Sequence, residues 1–312
     1  MNELIVTVVP IKEEDVQRLR CACPSATVAA ESAETVTDEQ LSRADIIFGN
    51  LPPARLSACK QVRFLQLESA GYDNYTVSGV LPAGTIVANA TGAYGIALSE
   101  HMLAVQKNLY GYWEAQKEGR WADGGDVGGI YGTRALVIGA GDIGTQMALR
   151  LSAMGAKVKG IKRTVSGPMP HFAQVFEFRS APWKELLSEA DIVVISAPLT
   201  EETSHLIDEE KLRMMKPQAI LVNGGRGGIV DTQALCDALE SGRLAAAILD
   251  VTDPEPLPKD HRLWTVRGAY ITPHIAGGHH FQETTRRIVE IGIENIRRFS
   301  AGEPVSNQVW PR

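Results

Sequence analysis

The stretch that decides the fold is Gly139-Ala140-Gly141-Asp142-Ile143-Gly144, which directly follows an apolar run and opens a helical pattern. The first glycine suits a tight turn, the second admits a pyrophosphate close to the backbone, and the third lets helix and strand pack closely. The helix start also offers amide groups and a positive dipole end to an anion. A glycine-rich turn in any α/β protein is the alternative, but the flanking strand and helix favour a dinucleotide-binding unit.

Around this stretch, short β-branched runs alternate with helical patterns, which indicates parallel βαβ units covered by helices on both faces. The helix after the glycines has an apolar stripe of Ile143, Met147, Leu151 and Met154. The strands predicted for this half are 135–138, 157–161, 191–196, 219–222, 245–249 and 270–272. Those predicted for the first half are 4–9, 26–30, 46–48, 64–67 and 85–88.

A longer helical pattern over residues 96–117 separates the two series of strands, and its apolar positions are Leu98, Met102, Val105 and Leu109. A last helical pattern over residues 281–299 is expected to pack back on the first half. We therefore predict an α/β protein with two doubly wound parallel-sheet domains. A Rossmann NAD(P)-binding domain of residues 100–280 is inserted into a flavodoxin-like substrate domain of residues 1–99 and 281–312.

The composition excludes several classes of protein. The chain has 312 residues, of which 44% are hydrophobic and 22% charged, and this is the profile of a packed globular protein. A formal net charge of −6 argues against a nucleic-acid partner. The four cysteines lack the spacing of a disulfide framework or a zinc site, so we expect no metal. Without a signal peptide or an apolar run of about 18 residues, we expect a cytoplasmic protein and no membrane partner.

The strand after the glycines ends in Lys162-Arg163-Thr164, where an NAD-binding unit usually carries a carboxylate for the ribose hydroxyls. An acid at this place would repel a 2′-phosphate, whereas guanidinium, ammonium and hydroxyl groups bind one. The alternative is a solvated basic loop. We predict NADP(H) rather than NAD(H) as the preferred cofactor, with Arg163 as the main discriminator.

Polar residues follow three neighbouring strands of the second half, where doubly wound sheets bind their ligands. Arg226 lies in the run Asn223-Gly224-Gly225-Arg226-Gly227-Gly228, whose glycines suggest close backbone approach to a ligand. Its guanidinium suits a carboxylate, which it binds through two parallel hydrogen bonds. Glu255 stands between two prolines after Asp250, and His274 follows the strand 270–272. Each of these residues alone also fits a surface or structural role.

Together the three residues point to one chemistry. A carboxylate on one ring nitrogen holds a histidine in a single tautomer and favours its charged form, which suits His274 to deliver a proton. With a hydride donor and with Arg226 for an anionic substrate, the set predicts reduction of a 2-keto acid. Their origin on successive strands of one sheet favours this joint function over three separate structural roles.

Over nearly its full length the chain resembles the D-isomer-specific 2-hydroxy-acid dehydrogenase family. Each matching motif is short, and the combination is what makes the resemblance specific. The motifs are Ser69-Ala70-Gly71-Tyr72-Asp73, Ser99-Glu100-His101, the glycine stretch 139–144, Pro198-Leu199-Thr200 with Thr203, residues 223–228, residues 249–258, and Thr272-Pro273-His274.

The resemblance implies roles for particular residues. Arg226 binds and polarises the substrate, Glu255 pairs with His274, and His274 is the acid/base. The amides of Ala70 and Gly71 hold the substrate carboxylate across a cleft between the domains. Asp250 resembles the residue that holds the nicotinamide carboxamide. The remaining cofactor contacts implied are Gly139, Gly141, Asp142, Ile143, Gly144, Lys162, Arg163, Thr164, Pro198, Thr203, Gly224, Gly225 and Gly277.

Other features leave alternatives open. The helix that begins near Ile96 resembles the family's dimerisation segment, so we expect a homodimer, although a plain interdomain helix fits equally well. Trp121 is expected either to line the substrate cleft or to serve in packing. Thr252 stands at a position where this family usually has an aromatic residue. The missing acid near residue 162 resembles the glyoxylate/hydroxypyruvate reductase branch.

We therefore predict an NADPH-preferring oxidoreductase that interconverts small 2-keto acids, such as glyoxylate or hydroxypyruvate, and D-2-hydroxy acids. A phosphoglycerate dehydrogenase is the nearer alternative and would need cationic groups, for which Arg55, Lys60 and Arg63 are candidates. An alternative of another class is a dinucleotide-sensing binding protein similar to the corepressors of this fold, because fold alone does not establish catalysis.

Overall fold

The computed structural model describes residues 3–77, 79–106, 115–121, 129–277 and 281–311. The chain divides into two compact units, one of Met1–Tyr94 with Phe281–Arg312 and one of Gly95–His280. The helix at Gly95–Gln106, which the sequence prediction divides between two domains, lies wholly in the second unit. No helix within the described ranges combines the length and apolarity needed to span a membrane.

The strands and helices are numbered along the chain. The strands are β1 Leu4–Thr7, β2 Thr27–Ala30, β3 Ile46–Phe48, β4 Phe64–Gln66, β5 Ile86–Ala88, β6 Arg134–Ile138, β7 Lys157–Lys162, β8 Gln174–Glu177, β9 Ile192–Ile195, β10 Ile220–Asn223, β11 Ala246–Leu249, β12 Ala269–Ile271 and β13 Gln308–Trp310. The helices are α1 Glu13–Ala22, α2 Asp38–Arg43, α3 Gly95–Gln106, α4 Asp142–Ala153, α5 Trp183–Glu189, α6 Glu209–Met214, α7 Thr232–Glu240 and α8 Gln282–Ser300.

The first unit is built on a six-stranded sheet in the order β13-β5-β4-β3-β1-β2. Its strands are parallel except β13, which pairs antiparallel with β5. The order 2-1-3-4-5 of the parallel strands is that of flavodoxin-like sheets. The amphipathic helix α8 packs on this sheet so closely that a Cβ atom on Gly292 would lie 2.1 Å from the Phe48 ring. The chain therefore returns to its first half, as the sequence predicts.

The second unit contains a seven-stranded sheet, wholly parallel, in the order β12-β11-β10-β9-β6-β7-β8. The strand order reverses between β6 and β9, so the first βα unit opens beside the crevice where doubly wound sheets bind ligands. Two parallel-sheet α/β units confirm the predicted fold class. The edge strands β8 and β13 were absent from the sequence prediction.

The helical patterns predicted after the glycine turn and over residues 96–117 correspond to α4 and α3. On α4, Met147 and Leu151 are fully buried, whereas Met154 is 42% exposed because the helix ends at Ala153. The predicted helix 96–117 is described as α3 and as a helical turn at residues 115–117. Leu98 and Met102 of α3 pack in the core of the second unit. Leu109 and the side chain of Val105 lie outside the described residues.

The register of the second sheet brings the carboxyl ends of its strands to one edge. Ile138 at the end of β6 is opposite Ile161 on β7 and Ile195 on β9. Leu249 at the end of β11 is opposite Asn223 on β10 and Ile271 on β12. Every predicted site residue of this unit that follows a strand therefore starts from the same edge.

Candidate active site

The glycine turn after β6 has the geometry that a pyrophosphate site requires. Gly139 has a φ of +100°, and a Cβ atom there would lie 2.5 Å from the Ala197 amide nitrogen. A Cβ atom on Gly144 would lie 2.1 Å from the Gly139 carbonyl oxygen, so the third glycine allows α4 to pack on β6. At Gly141 nothing lies within 4 Å of the added atom. The second glycine therefore faces open space at the start of α4, and the turn fits a dinucleotide.

Lys162, Arg163 and Thr164 lie directly beside this turn. The amides of Gly139 and Ala140 both donate to the Ile161 carbonyl oxygen, at 2.9 and 3.0 Å. Lys162 is half-buried, and Arg163 and Thr164 are exposed. Within the described part of the chain neither cation forms an ion pair. Their charges therefore remain unneutralised next to the place where a dinucleotide would begin.

The loop after β9 contains Pro198 and Thr203, which are predicted cofactor contacts. Thr203 is 7% exposed. Its hydroxyl donates to the Pro198 carbonyl oxygen at 2.7 Å and accepts from the Thr200 amide at 2.7 Å. Pro198 itself is exposed. Thr203 therefore fixes the shape of the loop, and its hydroxyl is already committed to protein groups.

Arg226 is positioned by the loop that follows β10. The Asn223 side chain donates to the Arg226 carbonyl oxygen at 3.0 Å and accepts from the Gly225 amide at 3.1 Å. A Cβ atom on Gly227 would lie 1.9 Å from the Thr252 carbonyl oxygen, and one on Gly225 would lie 2.7 Å from the Ala197 carbonyl oxygen. The sequence prediction assigned these glycines to close approach of a ligand. In the structure, protein backbone fills the space that a side chain would need at Gly225 and Gly227, so these two glycines are required by the packing of the loop.

This packing leads to a stability prediction. We expect Gly227→Ala to lower the free energy of unfolding by about 1–3 kcal/mol, because the new methyl group must displace the backbone at Thr252. Chemical denaturation of the purified variant measures the change. Gly129→Ala is the matched control, since nothing lies within 4 Å of a Cβ atom there. Equal stability of the two variants would contradict the close packing at Gly227.

Gly224 and Gly277 are two further predicted cofactor positions. Gly224 is buried, and a Cβ atom there would lie 2.7 Å from Leu98 Cδ2 on α3. Gly277 is half-buried and follows the turn after β12. Gly224 therefore lets α3 pack against the carboxyl end of β10.

Asp250 is 2% exposed and organises the turn that follows β12. Its Oδ1 accepts from Thr272 Oγ1 at 2.6 Å and from the Ile275 amide at 3.0 Å, and its Oδ2 accepts from the Ala276 amide at 3.1 Å. An ionised carboxylate has about four acceptor positions, so one remains beside these described donors. That capacity fits the predicted contact with a carboxamide.

Glu255 and His274 form the predicted pair. Glu255 Oε1 lies 2.5 Å from His274 Nδ1, and the two side chains are 39% and 47% exposed. This contact leaves Nε2 as the ring nitrogen that can meet a substrate. His274 has a φ of +52°, a left-handed conformation that histidine adopts more readily than most residues. The pair also lines a pocket of the second unit with Leu257, Trp264 and Ile271.

Ala70 and Gly71 lie in the first unit, in the loop that follows the carboxyl end of β4. The Ala90 amide donates to the Ser69 carbonyl oxygen at 3.0 Å, and Asn89 Nδ2 donates to the Ala70 carbonyl oxygen at 2.7 Å. Because the N–H of a trans peptide points away from its carbonyl, the amides of Ala70 and Gly71 face away from these partners. Neither amide donates to another described group. They suit an anion.

Comparison with known proteins agrees with this arrangement. The family model for the NAD-binding domain of D-isomer specific 2-hydroxyacid dehydrogenases matches residues 99–276. The chain belongs to this family. It is therefore an oxidoreductase that uses a nicotinamide cofactor and acts on small keto or hydroxy acids.

Three relatives of this 2-hydroxyacid dehydrogenase are informative. The glyoxylate reductase of Korarchaeum cryptofilum is 34% identical over 267 residues, which are 81% of this chain and 77% of that one. The D-3-phosphoglycerate dehydrogenase of Archaeoglobus fulgidus is 32% identical over 259 residues, 81% of this chain and 48% of that one. The crystal structure of a family member from Xanthobacter autotrophicus, in complex with NADPH and MES, is 28% identical with a TM-score of 0.81, and covers 100% and 99% of the two chains.

Three cationic side chains of the dehydrogenase were candidates for binding a second negative charge on the substrate, as the phosphoglycerate dehydrogenase alternative requires. Arg55 is held by two carbonyl groups and by Asp38 Oδ1 at 2.7 Å. Arg63 precedes β4, at the sheet edge opposite Ala70 and Gly71, and contacts Glu3 at 2.5 Å. Lys60 is exposed and also precedes β4. Arg55 and Arg63 are thus engaged in local ion pairs of the first unit.

Several positions that support the dehydrogenase site were given no individual role in the sequence prediction. Asn223, Asn89 and Thr272 each hold a loop through a side-chain hydrogen bond. Tyr94 donates to the Glu68 carbonyl oxygen at 2.5 Å, and burial raises the pKa of its hydroxyl, which keeps it a donor. Trp121 is fully exposed, and the neighbouring residues 122–128 lie outside the described ranges. Its role therefore stays a prediction.

Proposed function

We propose that the protein is an NADPH-preferring reductase of small 2-keto acids, such as glyoxylate or hydroxypyruvate, that also works in reverse on D-2-hydroxy acids. The observation that carries this proposal is the 2.5 Å contact between Glu255 Oε1 and His274 Nδ1 at the sheet edge that also holds Arg226 and the glycine turn. A proton donor, a carboxylate-binding cation and a dinucleotide turn are what reduction of a 2-keto acid requires.

The reaction follows from the chemistry of these groups. When bound, the reduced nicotinamide supplies a hydride to the carbonyl carbon of the substrate. His274 delivers a proton from Nε2 to the carbonyl oxygen, so the product is a hydroxyl group. Glu255 orients the ring through its contact with Nδ1, which directs Nε2 to the substrate. Arg226 binds the substrate carboxylate and polarises the carbonyl group, and the amides of Ala70 and Gly71 are proposed as further carboxylate donors.

The NADPH preference is supported by the two unneutralised cations beside the glycine turn. A 2′-phosphate would find Lys162, Arg163 and the Thr164 hydroxyl there, and no carboxylate occupies residues 161–164. The similar structure from Xanthobacter autotrophicus, at 28% identity, is a complex with NADPH. Lys162 on β7 is in register with Glu177 on β8, so an acidic residue neighbours this cation and weakens its attraction for a phosphate. We therefore assign the larger share of the discrimination between NADPH and NADH to Arg163.

Arg163→Ala is expected to raise the Michaelis constant for NADPH by about 10- to 100-fold, because a charge-assisted hydrogen bond to the phosphate is lost. The Michaelis constant for NADH should stay nearly constant. Initial rates with both cofactors measure the change. Arg267→Ala, at an exposed arginine that precedes β12 at the other edge of the sheet, is the control. Equal increases in the Michaelis constants for NADPH and NADH would contradict the assignment of Arg163 to the 2′-phosphate.

A spectrophotometric panel of 2-keto acids, read as oxidation of NADPH and of NADH, tests the proposed function as a whole. Glyoxylate and hydroxypyruvate should be reduced faster with NADPH, whereas phosphohydroxypyruvate should be a poorer substrate because Arg55 and Arg63 are paired with local acids. Tight NADPH binding without turnover of any keto acid would favour the dinucleotide-sensing alternative. The homodimer and the cytoplasmic location remain predictions from the sequence.

A further inference from the structure

A chain of hydrogen bonds joins helix α3 to the buried carboxylate below the His274 turn. His101 Nε2 lies 3.0 Å from Thr272 Oγ1, and Thr272 Oγ1 lies 2.6 Å from Asp250 Oδ1. The two ends of the first contact are 171 residues apart in the sequence, and both belong to the second unit. The network therefore ties a helix to the loop that bears the proton donor.

The direction of each hydrogen bond follows from the groups involved. The Asp250 carboxylate already accepts hydrogen bonds from the backbone amides of Ile275 and Ala276, and an ionised carboxylate can only accept hydrogen bonds. The Thr272 hydroxyl has a single proton, which must point to Asp250. Its oxygen is then an acceptor for His101, whose proton is assigned to Nε2. The His101 donor thus completes the hydrogen bonds of the Thr272 hydroxyl and holds the side chain in the rotamer whose proton is directed at Asp250.

Asp250 in turn determines the backbone of the turn. Its carbonyl oxygen accepts from the His274 amide at 2.8 Å, and its carboxylate binds the next two amides at 3.0 and 3.1 Å. Three consecutive amides of a turn with left-handed His274 thus end on one residue. A rotation of the Asp250 carboxylate would release two of them and move the imidazole relative to Glu255.

We propose that His101 and Thr272 are positioning residues for His274 and act on it through Asp250. This inference rests on the proposed function, in which His274 delivers the proton. Neither residue contacts the substrate in this role. Their contribution is to fix the orientation of Asp250 and, through its amide contacts, the place of the imidazole.

The experiment compares variants that remove a hydrogen bond with variants that keep it. Thr272→Val removes the hydroxyl and His101→Phe removes the N–H donor, and both variants preserve the approximate shape of the side chain. Thr272→Ser keeps the hydroxyl, and His101→Gln keeps an N–H donor. Thr133→Val is the matched control, because that hydroxyl binds the Ile130 carbonyl oxygen at the amino end of β6. We expect Thr272→Val and His101→Phe to lower kcat about 10- to 100-fold, since a displacement near 1 Å costs about that much. The Michaelis constants should change less, and the Ser, Gln and control variants should retain most turnover.

A second readout does not depend on turnover. In ¹H–¹³C spectra of histidine-labelled, cofactor-free protein, the ring signals of His274, identified from their loss in His274→Asn, should move in Thr272→Val and stay in place in Thr272→Ser and Thr133→Val. Unmoved signals in Thr272→Val, or equal loss of kcat in Ser and Val variants, overturn the inference. If the wild-type protein reduces no keto acid, the proposed function fails, and the spectra still decide whether the network positions His274.

Discussion

His274→Asn is expected to lower kcat for keto-acid reduction by about 10²- to 10⁴-fold, the usual contribution of a general acid. Asparagine tolerates the φ of +52° at this position, so the turn keeps its conformation. Its amide also offers a donor near the place of Nδ1 and can keep a contact with Glu255. What the variant removes is the second ring nitrogen, which is the proposed proton donor.

The matched control is His171→Asn, because His171 is exposed and also left-handed, with a φ of +70°. It should retain the turnover and the thermal stability of the wild-type protein. Dissociation constants for NADPH, from quenching of intrinsic fluorescence, should be similar in all three proteins, since His274 is proposed to act on the substrate. An unchanged kcat in His274→Asn would falsify the proposed mechanism, whereas loss of NADPH binding would point to a structural role for the turn.

The parts of the fold that were predictable are those with strong local patterns. Buried parallel strands such as β6 and β9 are short apolar runs, and the glycine turn marks where the second series begins. The strands β8 and β13 escaped prediction because they are edge strands of mixed composition, with no fully buried residue. Only the sheet order shows that they extend a core.

The candidate site likewise contains residues that could be predicted from the sequence and contacts that could not. Residues with distinctive chemistry at strand ends, such as Arg226 and His274, could be identified because the ends of parallel strands share one edge. The supporting contacts could not, because they join distant positions: His101 is 171 residues from Thr272, and Asn89 is 19 residues from Ala70. The glycines near Arg226 signalled close approach, and the structure shows close approach of protein backbone at Gly225 and Gly227, whereas their approach to a ligand stays a prediction.

Replacement of Arg226 should have the other large effect. In Arg226→Ala we expect kcat/KM for keto acids to fall about 10²- to 10³-fold, because truncating one partner of a hydrogen-bonded charge pair costs several kcal/mol. Arg226→Ala also removes the hydrogen bond from Arg226 Nη1 to the Gly225 carbonyl oxygen, but the Asn223 side chain still holds the loop through the carbonyl oxygen of residue 226. Arg226→Lys keeps the charge but loses the planar fork, so its kcat/KM should lie between those of the wild type and the alanine variant.

Substrate structure provides the sharper test of Arg226, because its proposed partner is the substrate carboxylate. The penalty in Arg226→Ala should be larger for glyoxylate than for a neutral aldehyde, because the aldehyde loses only the polarisation of its carbonyl group whereas glyoxylate also loses the contact with its carboxylate. Arg179→Ala is the control, since Arg179 is 83% exposed and pairs with Glu202. If Arg226→Ala slowed the acid and the aldehyde equally, the guanidinium would act on the carbonyl group or on the loop. A larger loss for the acid, with its Michaelis constant raised, would support binding of the carboxylate by Arg226.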